Sequence, residues 1–235
     1  MHAVPFPHRV GVAALLAAAW LSLPAAGRAA PSFAAQTLTE GSTGVRFQSE
    51  LTVGETPYRC LGVSARKFFT FAIYAVAFCM EASQADLAIN GYVRVAHPDR
   101  DGAALVHVLA SDQQFFETLS DAPGEKLIEL YFLRDVPRER LASSLRKDLG
   151  KYLSRADAER VAASVSDDVK KDSIALLHTR GASLVLELGG RARLFENEPA
   201  LASGLFRVWL GRESVTPGIK ASIAKNVVAA PRPLP

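Results

Sequence analysis

Cysteine is nearly missing from this chain: Cys60 and Cys79 are the only two in 235 residues. Neither lies near the N-terminus, which argues against a lipoprotein. Histidine is sparse too. Past the first thirty residues only His97, His107 and His178 occur, and none has a Cys, His, Asp or Glu partner at metal-ligand helical spacing. They read as surface strand or loop residues, and no metal and no cofactor is expected. The Gly-x-Ser-x-Gly elbow of one large class of serine hydrolases does not occur. Charge of one sign is never concentrated either: 27 Lys and Arg are interleaved with 24 Asp and Glu, whereas a nucleic-acid surface needs clustered cations. Neither a repeat nor an internal linker divides the chain.

The N-terminus carries a pattern of its own. Residues 1–9 hold Arg9, His2 and His8 without an acid, Val10 to Leu23 are almost wholly apolar, Pro24 breaks the run, and small residues follow through Ala35. That is the order of a secretory signal peptide, with an apolar run too short for a comfortable transmembrane span. Cleavage is expected between Gly27 and Ala34, with Ala29 the chosen point; an uncleaved N-terminal anchor is the alternative. The organisation expected is a signal peptide over 1–29, one domain over 36–228 and a flexible tail over 229–235. Loss of the leader removes Arg9 and Arg28 and no acid, so the formal charge falls from +3 to +1. The expectation is an exported monomer, periplasmic or secreted, without a stable membrane span after cleavage.

The domain is organised around Arg59 to Glu81. From Phe68 to Phe78 every residue but Thr70 is apolar, aromatic or a small Ala, as in a strand covered on both faces. A Gly62-Val63-Ser64-Ala65 turn precedes it, with Arg66 at its mouth. A hairpin turning at Ser64–Ala65 leaves Cys79 roughly 30 Å from Cys60 at strand rise, beyond a disulfide's reach, so two buried free thiols are expected. Around this strand, Val45 to Val53 alternates as a half-wet strand. Gly91–Val95 and Ala103–Val108 read as two strands. Ser111 caps a short helix through Leu119, and Lys126–Leu133 is a strand. Leu141, Leu145 and Leu149 mark one helix, begun at Pro137 and capped by Asp135. Val161, Val165 and Val169 mark a second, with a capping box at Ser154 and Asp157. Asp167-Asp168 beside Lys170-Lys171 reads as a solvated helix face. Strands at 174–177, 184–188 and 191–195 follow, then a helix from Asn197 to Gly211 and a short terminal helix after Pro217. The fold class is α+β, helices packed on an antiparallel sheet.

Four ordered stretches resemble the chalcone isomerase family in its bacterial chalcone isomerase-like, exported branch: Leu61-Gly62-Val63-Ser64-Ala65-Arg66; Ile73-Tyr74-Ala75; Phe132-Leu133-Arg134-Asp135-Val136; and Leu205-Phe206-Arg207-Val208-Trp209-Leu210-Gly211 with Val215-Thr216-Pro217. The resemblance implies an open-faced β-sandwich, a large antiparallel sheet covered by a layer of helices. Ser64 stands where the family usually has a second glycine, and Ala82–Glu125 is longer than in many relatives.

The resemblance also implies a site. In the plant isomerase an arginine of the Gly-rich turn positions the substrate phenolate, helped by a strand threonine and by a tyrosine and an asparagine on the following helix. Arg66 matches the arginine, and Thr70 can stand for the threonine, although about 13 Å of strand separates them. The helix after Asp135 has no asparagine and only Tyr152 at its far end, and Ser203 alone could replace another polar contact. No catalytic residue is therefore assigned. Fatty-acid-binding relatives keep the arginine with a tyrosine further along. Tyr74 holds a similar position, at an expected distance of about 26 Å from Arg66. The ligand-binding candidates are Arg66, Thr70 and Tyr74, with Phe68, Phe69, Phe71, Val76 and Phe78 able to wall a lipophilic body. The reading is a non-catalytic binder of a small lipophilic carboxylate or phenolic ligand, fatty-acid-like. The alternatives are an isomerase or lyase acting on a phenolic or α,β-unsaturated substrate, and an envelope interaction protein with no ligand.

Overall fold

The computed structural model describes residues 36–230, all within one unit, Ala34–Pro235, that carries its own core. The expected signal peptide and the last five residues of the expected tail lie outside the described residues. Nine strands and eight helices are described. β1 (Thr37–Thr39) and β2 (Arg46–Gln48) form a small hairpin. β3 (Glu50–Val53), β4 (Thr56–Phe68), β5 (Phe71–Glu81), β6 (Lys126–Phe132), β7 (Ile174–Arg180), β8 (Ser183–Leu188) and β9 (Arg191–Phe195) form an antiparallel sheet in sequence order. Three helices, α1 (Ala82–Ala96), α2 (Gly102–Ser111) and α3 (Gln113–Asp121), lie between β5 and β6. Next come α4 (Arg138–Leu149) and α5 (Arg155–Ala163), then α6 (Pro199–Gly204), α7 (Arg207–Leu210) and α8 (Gly218–Ala229). No described helix is long and apolar enough to cross a membrane.

β5 is the central strand that its composition predicts, buried along both faces from Tyr74 to Met80. Tyr74, Val76, Phe78 and Met80 point to the main core under the helices. Ala75, Ala77 and Cys79 point to a smaller core on the opposite face, which Phe47 of the β1–β2 hairpin helps to close.

The turn before β5 is not where the sequence placed it. Val63, Ser64 and Ala65 are interior residues of β4, and the chain reverses at Phe69 and Thr70, where Phe69 takes a left-handed φ of 52°. The β4–β5 hairpin is therefore much longer than expected, and every cross-strand partner changes. Cys60 faces Cys79 directly, and the two form a disulfide instead of remaining free thiols.

A bulge at Leu61 shifts the register between Cys60 and Gly62, and α8 seals it. Ser222 accepts the Val63 amide at 3.0 Å, and the Asn226 side chain donates to the Leu61 carbonyl at 3.1 Å. Two backbone groups outside the regular ladder thus gain partners one helical turn apart. Gly62 permits this approach, since a Cβ there would lie 2.7 Å from the Ile223 backbone nitrogen.

Other expectations are corrected by tertiary contacts. Gly91–Val95 and Ala103–Val108 are helical, within α1 and α2, and each helix buries a stripe: Ala85, Ile89 and Val93, then Leu105 and Leu109. Asp112, not Ser111, caps α3, accepting the amides of Gln114 and Phe115, and it also binds the Tyr92 hydroxyl at 2.6 Å and His97 Nε2 at 3.0 Å. His97 and His178 are thus packed against carboxylates, of Asp112 and Glu187, and are not free surface histidines. Asp168 accepts the Arg138 amide at the start of α4, while Asp135 accepts the Lys171 amide. Asp167 and Asp168 lie past the end of α5, so they form no helix face. The Ser154 and Asp157 cap holds, with the Asp157 amide donating to Ser154 Oγ at 3.1 Å.

Candidate functional site

The long hairpin determines where the candidate residues stand. With the turn at Phe69 and Thr70, Arg66 of β4 pairs directly with Tyr74 of β5, on the face that the helices cover. The expected separation of about 26 Å assumed one continuous strand. Cross-strand neighbours lie about 5 Å apart instead. Thr70 moves the other way: it sits exposed in the turn, outside the Arg66–Tyr74 pair. Phe68, Phe69 and Phe71 are exposed at the same turn and wall no cleft, whereas Val76 and Phe78 are core residues.

Two side chains missed by the sequence reading complete the cluster. Asp148, near the C-terminal end of α4, accepts from Arg66 Nη1 at 2.9 Å and from Ser144 Oγ at 3.2 Å. Trp209 of α7 lies close enough to act on the Tyr74 hydroxyl, yet its buried Nε1–H makes no hydrogen bond. Burial pushes the Tyr74 hydroxyl up to about 12, while the Arg66 charge and the neighbouring Arg66 and Trp209 donors pull the other way. Tyr74 therefore stays protonated at any physiological pH, as a donor. Its ring packs edge-on against Phe132, with centroids 5.9 Å apart.

The cluster thus joins one cation, one neutral phenol, one unpaired indole N–H and one carboxylate. Asp148 engages one guanidinium nitrogen, and the Arg66 side chain keeps 26% of its surface exposed. A fork of five donors holding one carboxylate contact retains capacity for a second anion. The two polar side chains considered as substitutes have partners elsewhere: Ser203 donates to the Ala200 carbonyl, and Tyr152 accepts the Glu213 amide. Two recesses lie elsewhere. One of about 570 Å³ lies between β8–β9 and the segment after α5, and one of about 420 Å³ lies beside α3 and Arg207. Neither is lined by Arg66 or Tyr74.

Comparison with known proteins adds the fold. No family model matches the chain, and no curated protein matches it. Among solved structures, the crystal structure of the Arabidopsis thaliana fatty-acid binding protein AtFAP1 matches with a TM-score of 0.62 and 14% identity, over 83% of this chain and 98% of that chain. The fold is chalcone isomerase-like. At 14% identity the likeness carries the architecture and leaves the role of each residue to local geometry.

Within this chalcone isomerase-like fold, the stretch from Leu61 to Arg66 is strand and bulge, not a turn. Ser64, in the place of the family's second glycine, is buried under the start of α8, where a Cβ on Gly218 would lie 2.9 Å from its Oγ. The Ala82–Glu125 segment forms α1 to α3 and covers the sheet beside α8. A sequence signal for Trp209 existed in the Leu205–Gly211 stretch. For Asp148 there was none, because a lone acid beside a leucine stripe reads as solvated.

Proposed function

We propose that this protein is an exported, non-catalytic binder of a small lipophilic acid, fatty-acid-like, that seats the acid's head group against Arg66 and Tyr74. The observation that carries the reading is the direct cross-strand pairing of these two residues on the helix-covered face of the sheet. A guanidinium and a protonated phenol carried on cross-strand partners, whose Cβ atoms stand about 5 Å apart, suit the two oxygens of one carboxylate. The unpaired Trp209 Nε1–H offers a third donor beside them. The fold shared with AtFAP1, whose description names it a fatty-acid binding protein, agrees with this use. An acid entering here shares Arg66 with Asp148 or displaces it, so some rearrangement of α4 accompanies binding. Export is supported by the signal-peptide pattern and by the Cys60–Cys79 disulfide, which persists in oxidising compartments. The protein acts as a monomer in this reading.

Titration of the purified domain with saturated fatty acids, followed by intrinsic Trp fluorescence and calorimetry, tests it. Saturable binding that Arg66→Met and Tyr74→Phe each weaken at least about tenfold is expected. Absence of binding, or binding unchanged in both variants, overturns the reading. One observation favours a second reading. The Arg66–Asp148 ion pair already gives the arginine a charged partner within the fold, as in an envelope interaction protein that takes no ligand. Thr70, the other candidate, plays no part in either reading.

A further inference from the structure

The β4–β5 hairpin extends beyond its neighbours. β3 pairs with β4 only over Thr56 to Arg59, and β6 pairs with β5 only from Tyr74 onward, so Lys67 to Ala72 form a free two-stranded tip. Apolar rings crowd that tip. Phe68, Phe69 and Phe71 are 66%, 86% and 58% exposed, and the Phe68 and Phe69 rings meet edge to face with centroids 4.7 Å apart. At ~200 Å² per phenylalanine the three expose about 400 Å² of ring surface, comparable to the largest apolar patch on a typical monomer.

Along the tip strands themselves the charge has one sign. No Asp or Glu occurs between Glu55 and Glu81, while Lys67 stands exposed beside Phe68. Arg134, also exposed, holds its guanidinium 4.9 Å from the Phe71 ring centroid. Its neighbour Asp135 is turned away toward Lys170 and the Lys171 amide. The tip is a two-stranded projection. Aromatic rings at a projecting point with cations set just behind them match the layering of a bilayer surface, where rings enter below the head groups and cations meet lipid phosphates.

We infer that the Lys67–Ala72 hairpin tip docks the protein on anionic phospholipid membranes, with Phe68, Phe69 and Phe71 inserted and Lys67 and Arg134 at the head groups. This docking does not depend on the ligand reading, although it would bring Arg66 and Tyr74 within a few residues of the lipid surface.

Flotation of the Ala34–Pro235 unit with vesicles tests it, since this unit holds its own core and lacks the apolar leader. Vesicles with about one-third phosphatidylglycerol in phosphatidylcholine should carry the protein, and pure phosphatidylcholine should carry less. The triple change Phe68→Ser, Phe69→Ser and Phe71→Ser should lower binding at least about tenfold with an unchanged thermal midpoint. Lys67→Glu should remove the preference for anionic vesicles. Failure of the wild-type unit to float with either vesicle overturns the inference, as does equal binding by the triple variant. So does a lipid-free dimer, seen by sedimentation, that the triple variant dissolves, because the tip would then be a protein contact.

Discussion

The Arg66–Asp148 pair offers the sharpest test of how the site works. At 2.9 Å and an effective dielectric near 20, the attraction is about 6 kcal/mol before desolvation is charged against it. The Asp148 side chain is only 10% exposed and that of Arg66 26%, so the net value falls to about 1–2 kcal/mol. The two removals are not equivalent. Arg66→Met leaves a nearly buried carboxylate with Ser144 Oγ as its remaining partner, which should cost about 2–3 kcal/mol. Asp148→Asn leaves a guanidinium that can reach water, which should cost about 1 kcal/mol. Urea unfolding of both single variants and the double gives the coupling directly. Ligand binding then moves in opposite directions. Asp148→Asn removes the acid that competes for Arg66, so fatty-acid binding should tighten about tenfold, or about 1.4 kcal/mol, while Arg66→Met weakens it. If Asp148→Asn weakens binding as much as Arg66→Met does, the pair is a structural brace and the head-group assignment is wrong.

Three other outcomes follow from the packing. Gly62→Ala places a Cβ 2.7 Å from the Ile223 backbone nitrogen, so α8 must shift off β4; a loss of about 2–3 kcal/mol in chemical unfolding is expected, and an unchanged midpoint would contradict the close approach. Replacing Cys60 and Cys79 together by Ala opens a crosslink between residues 19 apart, worth about 3 kcal/mol by loop entropy; thiol titration of the unfolded wild-type protein should find no free thiol. Tyr74 keeps its proton in the fold up to about 12, whereas an unfolded tyrosine loses it near 10. Its contribution is therefore complete below about pH 10 and lost as the pH rises toward 12, at most about 3 kcal/mol. Thermal melts across that range should fall more gently for Tyr74→Phe, and an identical slope would refute the burial of the hydroxyl.

Much of the fold was legible because periodicity reports which side of an element is dry. The apolar stretch before Glu81 is a strand covered on both faces, the leucines of α4 and Val161 of α5 are packed inward, with Val165 and Val169 buried beyond the end of α5, and β6 to β9 form strands where the sequence places them. The Ser154 cap was legible from local spacing alone. The failures share a different cause. Gly91–Val95 and Ala103–Val108 hold short β-prone runs, and only burial of their three- and four-residue stripes against α8 and the sheet makes them helical. The cap at Asp112 was hidden because two of its four partners, Tyr92 and His97, become neighbours only after α1 and α3 pack.

By itself the sequence determined the α+β class, the antiparallel sheet and the importance of the stretch from Arg59 to Glu81, since residue type and spacing are written along the chain; Arg66, Thr70 and Tyr74 became candidates only through the family resemblance. Tertiary structure alone decided where that stretch reverses. Nothing in Gly62-Val63-Ser64-Ala65 rules out a turn; the docking of α8, whose Ser222 and Asn226 bind the bulge and whose Ile223 fits against Gly62, keeps it extended. Moving the reversal to Phe69 and Thr70 joins Cys60 to Cys79, sets Arg66 opposite Tyr74 and leaves three phenylalanines in water. Register is a property of two strands and the helix laid over them, so one displaced turn changed every pairing in the site.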